Sequence, residues 1–116
     1  MGPGIDPDVL RRSVGDDSVL MREVIEDFVP AAQAGVREIR AAAENSAADR
    51  VRLAAHNLKG SASLVGARAL TDICAALEAA SENEDWPTIS GLIIRLDDLM
   101  DDVERSAAAL LRSEAR

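Results

Sequence analysis

The chain contains almost no aromatic residues: tyrosine is absent, and phenylalanine and tryptophan occur once each among 116 residues. A hydrophobic fraction of 47% must therefore come mainly from Ala, Leu, Val and Ile. These are the residues that usually fill the space between closely packed helices. We therefore expect an all-α protein.

Cysteine and histidine are also scarce, with one of each. A single Cys74 cannot form an internal disulfide, and one histidine leaves too few soft ligands for a zinc site. No apolar run approaches the roughly 20 residues that cross a bilayer, and the start of the chain, "MGPGIDPD", lacks the pattern of a secretory signal. We expect no metal or cofactor of the chain's own, no membrane contact and a cytoplasmic location.

The charge balance is acidic, with a formal net charge of −8. This charge repels a phosphate backbone or an anionic membrane surface, and no basic stripe interleaved with aromatics offsets it. Nucleic acid is therefore excluded as an expected partner. A chain of this length forms one self-sufficient core, so residues 1–116 are predicted to be a single domain.

Apolar residues recur every three or four positions, the spacing of one buried stripe on a helix. Pro7 after an Asp N-cap predicts a short first helix ending near Gly15, and a long second helix follows from Asp17. Pro30 lies inside that second stripe and predicts a kink. Three further helices are predicted to begin at Ser46 as an N-cap, at Ala67 after Gly66, and at Pro87. The stripes are predicted to contain Val19/Leu20, Val24, Phe28, Ala32, Val36, Ile39 and Ala43; Val51, Ala54, Leu58, Ala62 and Val65; Leu70, Ile73/Cys74, Leu77 and Ala80; and Ile89, Leu92/Ile93, Leu96, Leu99/Met100, Val103, Ala107 and Leu110.

Four such helices joined by short loops pack most simply as an antiparallel up-down-up-down bundle, with the short N-terminal helix added to it. At about 100° per residue, His56 lies opposite the core stripe of the third helix. We therefore predict that the imidazole faces solvent and is not a core histidine satisfied by a local hydrogen bond.

The neighbours of His56 argue against an incidental polar residue on a solvated face. Gly60 is one turn away on the same face, although glycine costs a helix interior about 0.5–1 kcal/mol relative to alanine. Lys59 is also one turn away and can balance the charge of an anion attached to the ring. The surrounding surface is predicted to consist of Arg52, Leu53, Ser63 and Leu64, with the two leucines forming an apolar rim.

A largely neutral imidazole is a nucleophile at physiological pH. The sequence contains no partnered serine or cysteine nucleophile, Gly-rich phosphate loop or recognisable pair of catalytic carboxylates that would support hydrolysis or ATP use. These observations favour a passive carrier over an enzyme. In such a carrier, a histidine accepts and returns a phosphoryl group while a partner supplies the catalysis.

The segment "AHNLKGSASLVGARALTDICAALE" resembles the histidine-containing phosphotransfer (HPt) domain of two-component phosphorelays. The pattern is His-x-x-Lys-Gly-Ser, then Gly-Ala at the helix end, then a Cys-x-x-Leu-Glu run, and Phe28 and the chain length also match. The resemblance implies that His56 is the phosphoacceptor through Nε2, that Lys59 balances the phosphoryl charge, and that Gly60 gives the partner access. It also implies that Gly66 and Ala67 form the turn between the two central helices.

The resemblance further implies a response-regulator receiver domain and a sensor histidine kinase as partners. The phosphoryl group would pass in either direction between His56 and a receiver aspartate, and the receiver would supply Mg²⁺. The domain could stand alone or belong to a larger hybrid sensor kinase, and the sequence at the two ends of the chain favours the second arrangement.

Two other functions remain open from the sequence. One is the phosphoacceptor and dimerisation part of a histidine kinase, which usually contributes a two-helix hairpin that a second chain completes. This chain has enough helices to close its own core, so a monomer is expected. The other is a helical interaction module that is not phosphorylated.

Overall fold

The computed structural model describes residues 4–114, and these residues form five α-helices and no strand. This confirms the all-α prediction, including the short N-terminal helix. The helices are α1 (Pro7–Val14), α2 (Ser18–Glu44), α3 (Ala48–Leu64), α4 (Arg68–Glu82) and α5 (Trp86–Glu114). Pro30 lies within α2 and does not end it.

Helices α2 to α5 form a four-helix bundle. Helix α2 packs against α3 and α5, and α4 packs against the same two helices from the other side. Only three residues separate each consecutive pair from α2 to α5, too few to return along a helix, so each helix runs antiparallel to the one before it. Helix α1 packs against α2 and α3.

The core contains the stripes predicted for α3, α4 and α5. Every predicted core residue of α3 and α4 is buried, including Cys74, and Ala55 and Ala67 are buried as well. In α5 the buried residues are Ile89, Leu92, Leu96, Met100, Val103 and Ala107. Ile93, Leu99 and Leu110 are partly buried against them, as expected for the edges of a stripe.

The predicted stripe at the start of α2 is wrong. Val19 and Leu20 are 67% and 40% exposed, whereas Met21 and Ile25 are buried. Both sets are apolar, and helical steps of three or four lead back from Phe28 to either one. Packing against the neighbouring helices selects Met21 and Ile25, which local spacing cannot distinguish from the alternative.

The predicted N-cap at Ser46 is also wrong, because Ser46 has a left-handed φ of 53° and lies in the turn that follows α2. The Ser46 N–H donates to the Ala43 carbonyl, and the Ala47 N–H donates to the Ala42 carbonyl. This pair of bonds is a Schellman motif, which satisfies carbonyls that a helix end leaves unpaired. Helix α3 therefore begins at Ala48 without a side-chain cap.

The same motif ends α3 and α4. At the end of α3 the Gly66 N–H donates to Ser63 and the Ala67 N–H to Ala62, while the equivalent left-handed residue after α4 is Glu84. The left-handed residue after α3 is a glycine, at a position that α1 approaches. A Cβ on Gly66 would lie 2.7 Å from the Cβ atoms of Asp6 and Val9, so only glycine lets α1 seat against this turn.

Candidate functional site

The His56 side chain projects from the outer face of α3 and is 63% exposed. The opposite face of α3 is held in the core by Val51, Ala54, Ala55, Leu58 and Ala62. This confirms the predicted orientation of the histidine. Because α3 packs on both α2 and α4, the packing of the helix fixes the direction in which the ring points.

A carboxylate from the next helix holds the ring. Glu78 of α4 places Oε2 3.2 Å from His56 Nδ1 and is itself half-buried. An ionised carboxylate can only accept hydrogen bonds, so this contact assigns the proton of the neutral ring to Nδ1. The unprotonated nitrogen is then Nε2, whose lone pair is available as a nucleophile.

The second oxygen of Glu78 binds Lys59, with Nζ 2.6 Å from Oε1. Oε1 is shielded from solvent, so the ammonium compensates a negative charge that water does not reach. Lys59 is the only lysine in the chain, and His56 is the only histidine. Glu78 therefore joins the two residues that the sequence placed one turn apart on α3.

Lys59 and His56 decide the ionisation of Glu78. Burial by itself would raise the pKa of this carboxyl, but the hydrogen bonds from Lys59 and His56 and the positive charge of Lys59 outweigh burial and lower the pKa below its usual value. The carboxylate is therefore ionised at neutral pH. It can orient the ring without competing for the proton on Nδ1.

No packing contact requires a glycine at position 60. A Cβ at this position would meet no atom within 4 Å, whereas one on Gly35 of α2 would contact Leu58 at 3.7 Å. Gly60 lies in the interior of α3, so the fold would accept alanine there. The absence of a side chain leaves open space on the face that carries His56.

The remaining predicted site residues lie on the surface of α3. Arg52, Leu53, Ser63 and Leu64 are all exposed, and none of them makes a hydrogen bond or ion pair with His56 or Lys59 within residues 4–114. Leu53 and Leu64 are 56% and 43% exposed, which is high for leucine. The structure thus brings His56, Lys59 and Glu78 into contact and leaves the other four as surroundings.

Glu78 is not among the residues predicted for the site, although it lies in the segment that carries the family resemblance. It is 22 residues from His56 and on another helix. One signal was available in the pattern of α4, because Glu78 directly follows the buried Leu77 at the edge of the apolar stripe. The spacing along α4 could not show which neighbouring helix that edge faces.

The family model described as the Hpt domain matches residues 23–106, well over half of the chain and including His56, Lys59 and Glu78. The chain is an Hpt domain. It therefore belongs to the family that the sequence resembled, and its general function is that of a histidine phosphotransfer carrier in two-component signalling.

A solved structure supports the fold of this Hpt domain. The crystal structure of histidine-containing phosphotransfer protein B (HptB) from Pseudomonas aeruginosa PAO1 matches with a TM-score of 0.81 and 22% sequence identity. The match covers 100% of this chain and 98% of that one. No curated protein sequence matches the chain. Hpt domains act as carriers and interact with receiver domains and kinases, and no helix in the described part of this one is long and apolar enough to span a membrane.

Proposed function

We propose that this Hpt domain carries a phosphoryl group on Nε2 of His56 and exchanges it with an aspartate of a response-regulator receiver domain. One observation carries the proposal: Glu78 binds Nδ1 while the ring is 63% exposed. This arrangement directs the nucleophilic lone pair outward. A donor can approach it without a conformational change in the bundle.

The transfer step needs little from the carrier. The Nε2 lone pair attacks the phosphorus of the receiver's aspartyl phosphate, the bond between phosphorus and the carboxyl oxygen breaks, and the aspartate leaves as a carboxylate. The proton on His56 Nδ1 stays in place throughout. Because phosphoryl transfer depends mainly on alignment and charge neutralisation, Mg²⁺ held by the receiver and a fixed imidazole are sufficient.

The surface around His56 supplies the docking contacts in this proposal. Gly60 leaves room for the receiver's active-site loop, and Leu53 and Leu64 provide apolar contact on one side of His56. Arg52 and Ser63 add polar contacts to the receiver. Lys59 balances part of the phosphoryl charge.

The two alternatives differ from the carrier in measurable ways. A dimerisation part of a histidine kinase would need a second chain, whereas α2 to α5 enclose a core within one chain, which favours a monomeric carrier. An interaction module would bind a partner and never be phosphorylated. We place the carrier in the cytoplasm, either alone or within a hybrid sensor kinase, with that kinase as the upstream partner.

The proposal is tested by incubating the purified domain with phosphorylated receiver domains and Mg²⁺. Wild type should acquire an acid-labile, base-stable label, and His56→Gln should acquire none. Asn57→Ala, which changes the exposed neighbour on α3, should be labelled like wild type. Labelling of neither wild type nor His56→Gln by a panel of receivers would support the interaction module, and equal labelling of both would exclude His56 as the acceptor.

A further inference from the structure

Glu78 has two partners and uses one oxygen for each. Oε2 faces His56 Nδ1 at 3.2 Å, and Oε1 faces Lys59 Nζ at 2.6 Å. We infer that Glu78 sets how readily the carrier gives up its phosphoryl group, because both contacts disfavour retention of that group. This inference rests on the proposed function and extends it from the acceptor atom to the stability of the phosphorylated state.

The first contact acts on the ring. When Nε2 uses its lone pair to bond phosphorus, the ring keeps the proton on Nδ1 and becomes positively charged. The Glu78 carboxylate accepts a hydrogen bond from this N–H and stabilises the protonated form of the phosphorylated ring relative to its unprotonated form. A protonated ring is the better leaving group, because cleavage of the bond between nitrogen and phosphorus returns the electron pair to a neutral imidazole.

The second contact acts through the lysine. Phosphoryl oxygens on Nε2 attract the Lys59 ammonium, which already compensates Glu78 Oε1. Oε1 is shielded from solvent and has no other cation among the described residues, so removing Lys59 leaves a buried charge uncompensated. The lysine therefore stabilises the phosphoryl group less than an unpaired lysine in the same place would.

Replacing Glu78 with glutamine removes both effects while keeping the shape of the side chain. The amide nitrogen can donate to an unprotonated Nδ1 of the phosphorylated ring, and the neutral amide releases Lys59. The amide oxygen can still accept from Nδ1 before phosphorylation, so the variant can still be loaded, and the decay is measured only on the loaded fraction. Glu82→Gln is the matched control, because Glu82 is exposed one turn further along α4 and contacts neither His56 nor Lys59 in the described structure.

The experiment uses phosphoramidate, a small phosphoryl donor, to load the full chain without a protein partner. After removal of the donor, ³¹P NMR follows the decay of phosphohistidine. We expect a half-life about 3- to 10-fold longer in Glu78→Gln than in wild type, the range of a partly exposed charge contact, and no change in Glu82→Gln. Equal half-lives in wild type and Glu78→Gln would overturn the inference.

A second readout follows the lysine directly. As Lys59 is the only lysine, ¹⁵N labelling gives a single Nζ signal that is detected through the adjacent methylene protons. Phosphorylation should shift this signal in wild type, and the unphosphorylated Glu78→Gln variant should already differ from wild type. An Nζ chemical shift that changes neither on phosphorylation nor in Glu78→Gln would contradict the role of the ion pair, even if the half-lives differed.

The same experiment separates this inference from the proposed function. Failure of phosphoramidate to modify His56 in wild type would count against the phosphoacceptor and would overturn both. Normal modification of His56 with a half-life insensitive to Glu78 would leave the carrier intact and overturn only the present inference. Circular dichroism of each variant verifies that the bundle remains folded.

Discussion

At the scale of single residues, the Cys74 thiol is made unreactive by its position in the core. It lies one turn before Glu78 on α4 and is fully buried in the core. Burial, reinforced by the negative charge of Glu78 and opposed by Lys59, raises the pKa of the thiol to about 12. The thiolate, which is the reactive form, is therefore absent at neutral pH.

We expect Cys74 in the folded domain to resist a disulfide reagent such as dithionitrobenzoate at pH 8 and to react stoichiometrically in urea. The sign of the pH effect follows from the same pKa. The unfolded chain ionises its thiol near pH 8.5, well below the folded pKa, so stability falls as the pH rises above that value. Rapid modification without denaturant would show that the thiol is accessible and that its packing is looser than described.

The site residues show what a sequence can reveal at this scale. The outward direction of His56 follows from residues within its own helix, because the core stripe and the histidine lie on opposite sides of the α3 axis. Glu78 could not be assigned a role in that way. Its contact with His56 depends on the rotation of α4 against α3, which no spacing within either helix contains.

At the scale of helices, α3 and α5 each contain an interior glycine that packs against nothing. A Cβ on Gly60 or on Gly91 would meet no atom within 4 Å. Both positions thus carry the conformational cost of glycine without a packing benefit. Only Gly60 is on the face of His56, since Gly91 is on α5, which packs against α2 and α4 rather than beside α3.

The two glycines form a matched pair for mutation. Gly60→Ala and Gly91→Ala should each raise the free energy of unfolding by about 0.5–1 kcal/mol, measured by urea denaturation. Phosphotransfer from a receiver should slow in Gly60→Ala and remain unchanged in Gly91→Ala. Equal transfer rates in both variants would show that a methyl group at position 60 does not obstruct the partner.

At the scale of the whole molecule, the bundle closes its core within one chain. Within the bundle, each of the helices α2 to α5 packs against two of the other three. Helix α1 lies beside the turn between α3 and α4, where the Asp6 N–H donates a hydrogen bond to the Val65 carbonyl. Packing of this kind predicts cooperative unfolding as one unit. Within residues 4–114, the buried residues form one core that needs no second copy to cover it.

We therefore expect a monomer of 12.3 kDa in sedimentation equilibrium, with no dependence of the apparent mass on protein concentration. Trp86 is the only tryptophan and is partly buried against the core, so its fluorescence should report the same urea midpoint as circular dichroism. A dimer would instead favour the kinase-type alternative. Two separate midpoints would contradict the prediction of a single domain.

The sequence by itself determined the helices, most of their buried stripes and the exposed position of His56. Each of these follows from the helical period acting on neighbours within about one turn. The tertiary structure decided which of two apolar phases is buried at the start of α2. It also decided that Glu78 reaches both His56 and Lys59, because the rotation and register of packed helices depend on contacts between residues far apart in the chain.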